Sequence, residues 1–435
     1  MTNDQAVRTS AAELPADVGD LGAQRRRAVV AGIIGNTLEW YDFGVYGFLA
    51  TVLAKQFFPA SEQYVALLQT FGVFGVGFAA RPLGALLMGR LGDILGRKAV
   101  LVLTILMMAT GTIAIGAVPN YARIGIVAPI VLLFARVLQG LAAGGEWGNA
   151  AAFLAEWAST GRRGFYGGML LASVSGGMLL GSGASALVST LLTQQHLFAW
   201  GWRIPFLAGA ALVPVGLYMR RKVEEPPPFR SHSGERKPLP AGNFYGLLLR
   251  ASCLCLPLMI ASYMATVYMP SYAELYGHLA RSSALWSNTC ALGLTVIAAP
   301  FVGSLSDRYG RRRLIIINSA ALIVFSFPLY LWIASAVPFG TFLCIQLLLT
   351  IMVVGCNGGV PAAVAEIFRT SSRSTGAALA NAIAGLLGGF APLISTWLIG
   401  RTGSVVSPAS LVVFAAAAAL IAAAGMKETA HAELT

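Results

Sequence analysis

The stretch Gly89-Arg-Leu-Gly-Asp-Ile-Leu-Gly-Arg-Lys98 occurs twice in this 435-residue chain, the second time as Gly303-Ser-Leu-Ser-Asp-Arg-Tyr-Gly-Arg-Arg312, an offset of 214 residues. A second pair of segments repeats in the same order at an offset of 210 residues: Phe153-Leu-Ala-Glu156 and Ala363-Val-Ala-Glu366, each followed by an arginine and a glycine. Two repeats in one order and at nearly one offset indicate an internal duplication.

The composition is typical of a membrane protein rather than a globular one. Hydrophobic residues make up 57% of the chain and charged residues 11%, and the mean hydropathy is +0.72. No strand-length alternation is visible, so we expect helices rather than barrel strands to span the bilayer. Twelve apolar runs are long enough to cross a membrane: 28–54, 64–89, 99–118, 124–150, 165–192, 201–219, 244–272, 284–304, 314–336, 339–365, 375–399 and 405–426.

The duplication divides these runs into two sets of six. Because six is an even number, both sets run in the same direction through the membrane, as in transporters built from parallel repeats. We therefore predict an all-α membrane protein with twelve transmembrane helices in two parallel, pseudo-symmetric six-helix halves. The expected parts are an N-terminal tail (1–27), the first half (28–220), a Pro-rich linker (221–243), the second half (244–427) and a C-terminal tail (428–435).

The net charge of +12 indicates membrane topology rather than nucleic-acid binding, because the basic residues are concentrated in the loops on one side of the membrane. Loops on the side of the N-terminus hold most of them. The opposite loops hold only Lys55, Arg123, Arg203, Arg281 and Arg401. By the positive-inside rule both termini and the linker are expected in the cytoplasm. Residues 1–24 are polar and contain no signal peptide, so we expect a multi-pass protein of the inner (cytoplasmic) membrane.

No cofactor or metal site is expected from the sequence. The five cysteines all lie in apolar segments, where thiols serve as small hydrophobes, and the four histidines lie in loops or at the ends of spans. Neither a metal-binding spacing nor a nucleophile with its base is visible, so the chain is not expected to be an enzyme.

Five charged residues fall inside predicted spans: Glu39, Asp42, Arg81, Arg136 and Glu146. A charge at the centre of a membrane helix costs roughly 2.5–3.5 kcal/mol, so these groups must form pairs or line a wet cavity. Glu39 and Asp42 share one face of the first helix, which can point at Arg81 or Arg136. Permanent ion pairs that fix helix packing are the alternative. Three acids against two bases leave one carboxylate unbalanced, and a buried carboxylate can take up a proton near neutral pH.

The repeated Gly-Asp-Gly-Arg segments resemble the signature of the major facilitator superfamily, and the resemblance extends over residues 28–427. Three further segments resemble its metabolite:proton symporters: Glu39-Trp-Tyr-Asp-Phe43, Ala80-Arg-Pro-Leu-Gly84, and Arg136-Val-Leu-Gln-Gly140 with the following Gly144-Gly-Glu146. The resemblance implies the major facilitator fold, and it implies that Arg136 takes part in proton coupling. That family includes carriers of proline and betaine, 2-oxoglutarate, citrate and shikimate, so the resemblance leaves the cargo open.

Further residues are candidates for a substrate pocket or a cytoplasmic gate. Neutral polar groups in the spans are candidates for the pocket, although ordinary hydrogen bonding between helices is the competing interpretation: Tyr41, Tyr46, Gln139, Tyr263, Tyr268, Asn288, Gln346, Asn357 and Asn381. Residues of the repeated motifs are candidates for a gate that closes in the outward-facing state, with simple turn stabilisation as the alternative: Asp93, Gly96, Arg97, Glu156, Arg162, Asp307, Gly310, Arg311, Glu366 and Arg373.

The sequence therefore predicts a secondary active transporter that takes up a small metabolite with protons by alternating access. Fixed arginines favour an organic carboxylate as cargo. Uptake of a zwitterionic osmolyte such as proline or betaine, and proton antiport by an exporter, remain open alternatives. The expected partners are the small-molecule substrate, protons and the lipid bilayer, with no nucleic acid, and the protein is expected to function as a monomer.

Overall fold

The computed structural model describes residues 36–59, 62–95, 97–144, 151, 158, 161–221, 244–369 and 372–430. Most of these residues are helical, and no strand occurs among them. Within the described residues, the helices coincide with the twelve predicted spans and continue into several predicted turns. The all-helical prediction is therefore confirmed.

Twelve long helices are numbered here in chain order. They are α1 (36–48, continuing as Ala50–Phe57), α2 (Gln63–Ala79, continuing as Arg81–Leu95), α3 (Arg97–Ala117), α4 (Val127–Ala142), α5 (Arg163–Leu191), α6 (Arg203–Arg221), α7 (Phe244–Leu275), α8 (Arg281–Tyr309), α9 (Arg311–Ala334), α10 (Phe339–Asn357, continuing as Val360–Ile367), α11 (Arg373–Thr402) and α12 (Ala409–Ala424). Within the described chain, seven of them are long and apolar enough to cross a membrane, and three shorter apolar helices accompany these.

The helix contacts repeat with the duplication. In the first half α3 packs against α4 and α6, and α2 against α4; in the second half α9 packs against α10 and α12, and α8 against α10. Each of these three contacts in the first half thus has its counterpart six helices later. The most extensive contacts between the halves are those of α5 along α8 and of α2 along α11.

Glycines bring helix backbones together where the halves meet. A Cβ on Gly164 of α5 would collide with the carbonyl of Gly303 in α8, and one on Gly168 would collide with the carbonyl of Ala299. Such small residues allow close packing of membrane helices. We call this row of contacts the α5–α8 seam. Further along it, Ser182 and Thr289 share a hydrogen bond of 2.9 Å.

Helix α7 departs from regular α-helical geometry in two segments, Pro257–Ala261 and Met264–Tyr268, which are π-helical. Proline lacks an N–H and disturbs the hydrogen-bond ladder, which accounts for the first segment. Two amides of α10 hold this region in place. Gln346 donates to the carbonyl of Ala265 at 3.2 Å, and Asn357 donates to Ser262 Oγ at 3.0 Å.

Candidate functional site

A cavity of about 190 Å³ lies between the two halves, enclosed mainly by α1, α2 and α11. Its lining includes Glu39 and Trp40 from α1, Arg81 from α2, and Asn381 from α11. We call it the Arg81 cavity. Three of the residues predicted from sequence for proton coupling or substrate binding, Glu39, Arg81 and Asn381, therefore line the same cavity.

Glu39 and Arg81 form an ion pair at this cavity, with Arg81 Nη2 3.6 Å from Glu39 Oε1. The guanidinium of Arg81 also lies over aromatic rings, 4.3 Å from the centroid of Phe78 and 4.5 Å from that of Phe43. Ring faces attract cations, which favours the charged arginine here. Within the described chain Arg81 Nε and Nη2 have no hydrogen-bond acceptor, so they can still bind a carboxylate.

Asp42 lies deeper in the first half and is connected to Arg136 through two uncharged side chains. Thr112 Oγ1 donates to Asp42 Oδ2 at 2.6 Å, Gln139 Nε2 donates to Thr112 Oγ1 at 3.0 Å, and Arg136 Nη1 donates to Gln139 Oε1 at 2.9 Å. We call this chain of four residues the Asp42 relay. Asp42 Oδ1 is buried without a hydrogen-bond partner among the described residues. The buried acid and base are therefore linked without direct contact.

Arg136 is fully buried, and its guanidinium lies 4.5 Å from the ring centroids of both Phe43 and Tyr46. Because Phe43 also lies beneath Arg81, one aromatic ring contacts both guanidinium groups. The cavity pair and the Asp42 relay are thus neighbours, separated by aromatic side chains.

A second, smaller cavity of about 50 Å³ lies between the halves, lined by residues of α1, α5, α7, α8 and α10. Tyr263 and Asn357 line it, and Trp40 belongs to both cavities. We call it the Tyr263 cavity. In the described part of the chain, the hydroxyl of Tyr263 and Oδ1 of Asn357 are buried without hydrogen-bond partners.

The other pocket candidates line neither cavity. Tyr41 donates to the carbonyl of Pro205 at 2.7 Å, and Tyr46 donates to the carbonyl of Thr70 at 3.0 Å. Gln346 accepts from Ser287 Oγ at 2.6 Å and donates to Asn288 Oδ1 at 3.2 Å. Gln139 belongs to the Asp42 relay, and Tyr268 is fully buried against Phe71 and Tyr272. Most of these residues therefore form hydrogen bonds between helices, which is the competing interpretation to a role in a substrate pocket.

A cluster of charges joins the halves at one end of the α5–α8 seam. Asp307 accepts hydrogen bonds from the backbone N–H groups of Gly164 and Phe165, at 2.8 and 2.9 Å. Glu366 accepts from Arg311 Nε and Nη2 at 3.1 and 2.9 Å and lies 3.7 Å from Arg163 Nη1. We call Arg163, Asp307, Arg311 and Glu366 the basic-end cluster. Asp307 thus contacts the end of a helix in the other half, while its gating role stays a prediction.

The repeated motif suggests that Glu366 pairs with Arg373, the arginine that follows it in the chain. The structure instead pairs Glu366 with Arg311 and Arg163, and Arg373 Nε donates to the carbonyl of Ala365 at 2.9 Å. Arg162 is exposed, and its neighbour Arg163 is the buried one. Gly310 has a φ of 99° in the turn that joins α8 to α9, which explains why glycine occupies this position.

The chain beyond α12 also reaches this cluster. Glu428 accepts hydrogen bonds from the backbone N–H groups of Arg311 and Arg312, at 2.9 and 3.1 Å, and so caps α9. Thr429 donates to Glu366 Oε2 at 2.6 Å. Partial burial raises the pKa of Glu428, but backbone hydrogen bonds, led by that from Arg311, outweigh burial and hold its pKa below the usual value.

Some predicted residues lie outside the described part of the structure. Glu146, Glu156 and Gly96 are among them, as are the side chains of Asp93 and Arg97. Their predicted roles in proton coupling and gating remain predictions.

At the opposite end of the bundle a smaller cluster joins the halves. Thr51 of α1 donates to Glu274 Oε2 at 2.9 Å, and Arg281 Nε donates to the same oxygen at 3.1 Å. We call these three residues the opposite-end cluster. No sequence pattern singled out this cluster, and none singled out Thr112 or Arg163. Glu274 and Arg281 lie seven residues apart between two predicted spans, and this spacing of an acid and a base could have indicated an ion pair there.

Comparisons with known proteins agree with this architecture. Residues 28–238 match the family described as "Sugar (and other) transporter", and residues 278–433 match the "Major Facilitator Superfamily". The fold is similar to that of a D-xylose-proton symporter, with a TM-score of 0.74 over 94% of this chain and 100% of that one. Sequence identity to that structure is 16%, so the likeness concerns the fold alone.

Two curated relatives are similar along nearly their whole length. The proline/betaine transporter of Salmonella typhimurium is 36% identical, over 96% of this chain and 87% of that protein. The citrate-proton symporter of Klebsiella pneumoniae is also 36% identical, over 92% of this chain and 91% of that protein. The two relatives carry chemically different cargoes at equal identity.

Proposed function

Because this chain belongs to the major facilitator superfamily, among the metabolite:proton symporters, we propose that it imports a small metabolite bearing a carboxylate together with protons. It is a transporter rather than an enzyme, and a multi-pass membrane protein. The observation that carries the proposal is the pair Glu39 and Arg81, which lines a cavity between the halves. An arginine with unused donors is suited to bind a carboxylate.

The charge of the two cavities limits what they can hold. In the described part of their lining, Arg81 is the only cation and Glu39 the only acid. A tricarboxylate would bring three negative charges to one arginine. A cargo with a single carboxylate matches the site better, because unpaired charges are costly to bury.

A zwitterionic osmolyte such as proline or betaine is the second candidate. The rings of Trp40 and Tyr263 favour it, because Trp40 lines both cavities, Tyr263 lines the smaller one, and their ring centroids are 6.2 Å apart. Aromatic rings attract an ammonium group, and the carboxylate can bind Arg81. A simple organic acid gains nothing from these rings beyond apolar contact.

Proton coupling is assigned to the Asp42 relay and Glu39. Protonation of either acid reduces the charge of the first half, so that cargo and proton together permit reorientation of the halves. The basic-end cluster is proposed to close the cytoplasmic side, in agreement with the positive-inside orientation. The opposite-end cluster then closes the external side.

The test is uptake into proteoliposomes that contain the purified protein, with an imposed proton gradient, acid outside. The panel of labelled compounds contains proline, betaine, shikimate, 2-oxoglutarate and citrate. A symporter accumulates its cargo under this gradient, whereas an antiporter expels it. Stronger uptake of citrate than of every compound with one carboxylate contradicts the charge argument.

The first variant replaces Arg81 by glutamine. We expect KM for the cargo to rise about tenfold or more, because the carboxylate loses a charged, two-pronged partner. The matched control is Arg401→Gln, since Arg401 is exposed at the end of α11. Equal kinetics in the Arg81→Gln and Arg401→Gln variants refute the assignment of Arg81.

A further inference from the structure

We propose that the cargo presents an N–H or O–H donor to Asn381 Oδ1 while its carboxylate binds Arg81. This inference rests on the proposed function and narrows it. Asn381 becomes the residue that selects amino or hydroxy acids and rejects fully methylated ammonium compounds such as betaine.

The first observation is the environment of Asn381. This side chain is 9% exposed and lines the Arg81 cavity. Within the described chain its Oδ1 is buried without a hydrogen-bond donor. A buried carbonyl oxygen without a donor is unfavourable, so a ligand that supplies one is bound in preference to a ligand that cannot.

The second observation is the space beside Asn381. Gly385 lies one helical turn further along α11 and also lines the cavity. A Cβ at Gly385 would meet only Met259 Sδ, at 4.0 Å. The cavity therefore continues along this face of α11, so that a ligand can lie against the helix and reach the amide.

The third observation is that Asn381 and Arg81 belong to different halves. Arg81 is in α2 and Asn381 in α11, and these helices touch through Gly75 with Phe390 and through Gly389 with Phe78. A cargo bound to both side chains bridges the halves beside the contact between α2 and α11. Such a ligand makes contacts that exist only when the halves are close, so its binding favours the closed arrangement.

Asn357 does not compete for this role, although its Oδ1 also lacks a partner among the described residues. Its amide nitrogen is bound to Ser262 in the irregular part of α7, which makes it a positioning residue for that helix. It also lines the Tyr263 cavity, whereas Asn381 lines the cavity that holds the cation.

The experiment uses the full chain in proteoliposomes and starts from the compound of the panel that is transported. That compound is compared with its analogue in which every N–H and O–H outside the carboxylate is methylated. For zwitterions the sharpest pair is N,N-dimethylglycine, which has one N–H, and betaine, which has none. We expect kcat/KM to be about tenfold lower for the methylated compound, chiefly through KM.

Variants identify the residue responsible. In Asn381→Ala the ratio of kcat/KM between the donor-bearing compound and the methylated compound falls to nearly one. The donor-bearing compound loses its hydrogen-bond acceptor, whereas the methylated compound makes no hydrogen bond to Asn381 in the unchanged protein. Asn381→Asp keeps an acceptor and keeps the preference. The control Asn318→Ala, in α9 and away from both cavities, leaves it unchanged.

The outcomes separate this inference from the proposed function. Equal kcat/KM for both compounds in the unchanged protein overturns the inference and leaves symport intact, as does an Asn381→Ala variant that lowers both equally. Absence of proton-driven uptake for the whole panel overturns the proposed function itself, and the inference with it.

Discussion

At the residue scale, the Asp42 relay is an acid and a base joined by a hydroxyl and an amide. Such a chain lets Asp42 gain or lose a proton while Arg136 keeps its hydrogen bond to Gln139. A direct ion pair would resist that change, because breaking a buried pair costs about 3–5 kcal/mol. The indirect connection is therefore compatible with repeated protonation.

Asp42→Asn is expected to abolish uphill uptake and to spare exchange of cargo across the membrane. The amide cannot release a proton but fits the space beside Gly209 and can still accept from Thr112. The measurement compares gradient-driven accumulation with counterflow in proteoliposomes. Glu62→Gln is the control, since Glu62 is exposed before α2. Undiminished accumulation by Asp42→Asn would remove Asp42 from the coupling mechanism.

At the element scale, the α5–α8 seam depends on the absence of side chains. Gly168→Val is expected to destabilise the contact by about 1–3 kcal/mol, since the new side chain collides with the backbone at Ala299. Gly176→Val is a matched control in the same helix, because a Cβ there meets nothing within 4 Å. Thermal unfolding in detergent compares the two variants. Equal midpoints would mean that the seam contributes little to stability.

Local elements could be predicted from the sequence because apolar runs and repeats are local patterns. The twelve spans and the depth of Glu39 and Asp42 follow from such patterns. The rotation of a helix about its axis could not be predicted in this way, because it depends on contacts with residues that are distant in the sequence. Tyr41 and Tyr46 therefore face α6 and α2 instead of a cavity. The π-helical segments of α7 had no signal in the sequence beyond Pro257 in the first of them.

At the scale of the whole molecule, the two ends of the bundle hold opposing contacts between the halves. Glu366 joins Arg311 to Arg163 at one end, and Glu274 joins Arg281 to Thr51 at the other. In an alternating-access carrier the two sets must break in turn. Weakening one set therefore favours the state in which that end is open.

Glu366→Gln is expected to open the basic end, and Glu274→Gln the opposite end. The first loses a buried acid between two arginines, and the second an acid shared by Arg281 and Thr51. Distances between spin labels report each end in a protein without native cysteines. Exposed positions suit the labels: Arg162 with Arg308 at the basic end, and Glu62 with Thr402 at the other.

For each variant, the label pair at the undisturbed end is the internal control. Longer distances at both ends at once, in either variant, would indicate general loosening of the protein and contradict alternating closure.

The meeting of Gly164 with Gly303 has a consequence for how the carrier opens. Long charged side chains can follow one another across a widening gap, so a contact made by them fades gradually. Two backbones that touch directly have no long side chains to bridge a gap, and a gap of about 1 Å already removes roughly a quarter to a half of the attraction between them. We therefore expect this part of the α5–α8 seam to behave as a two-state contact, either joined or parted.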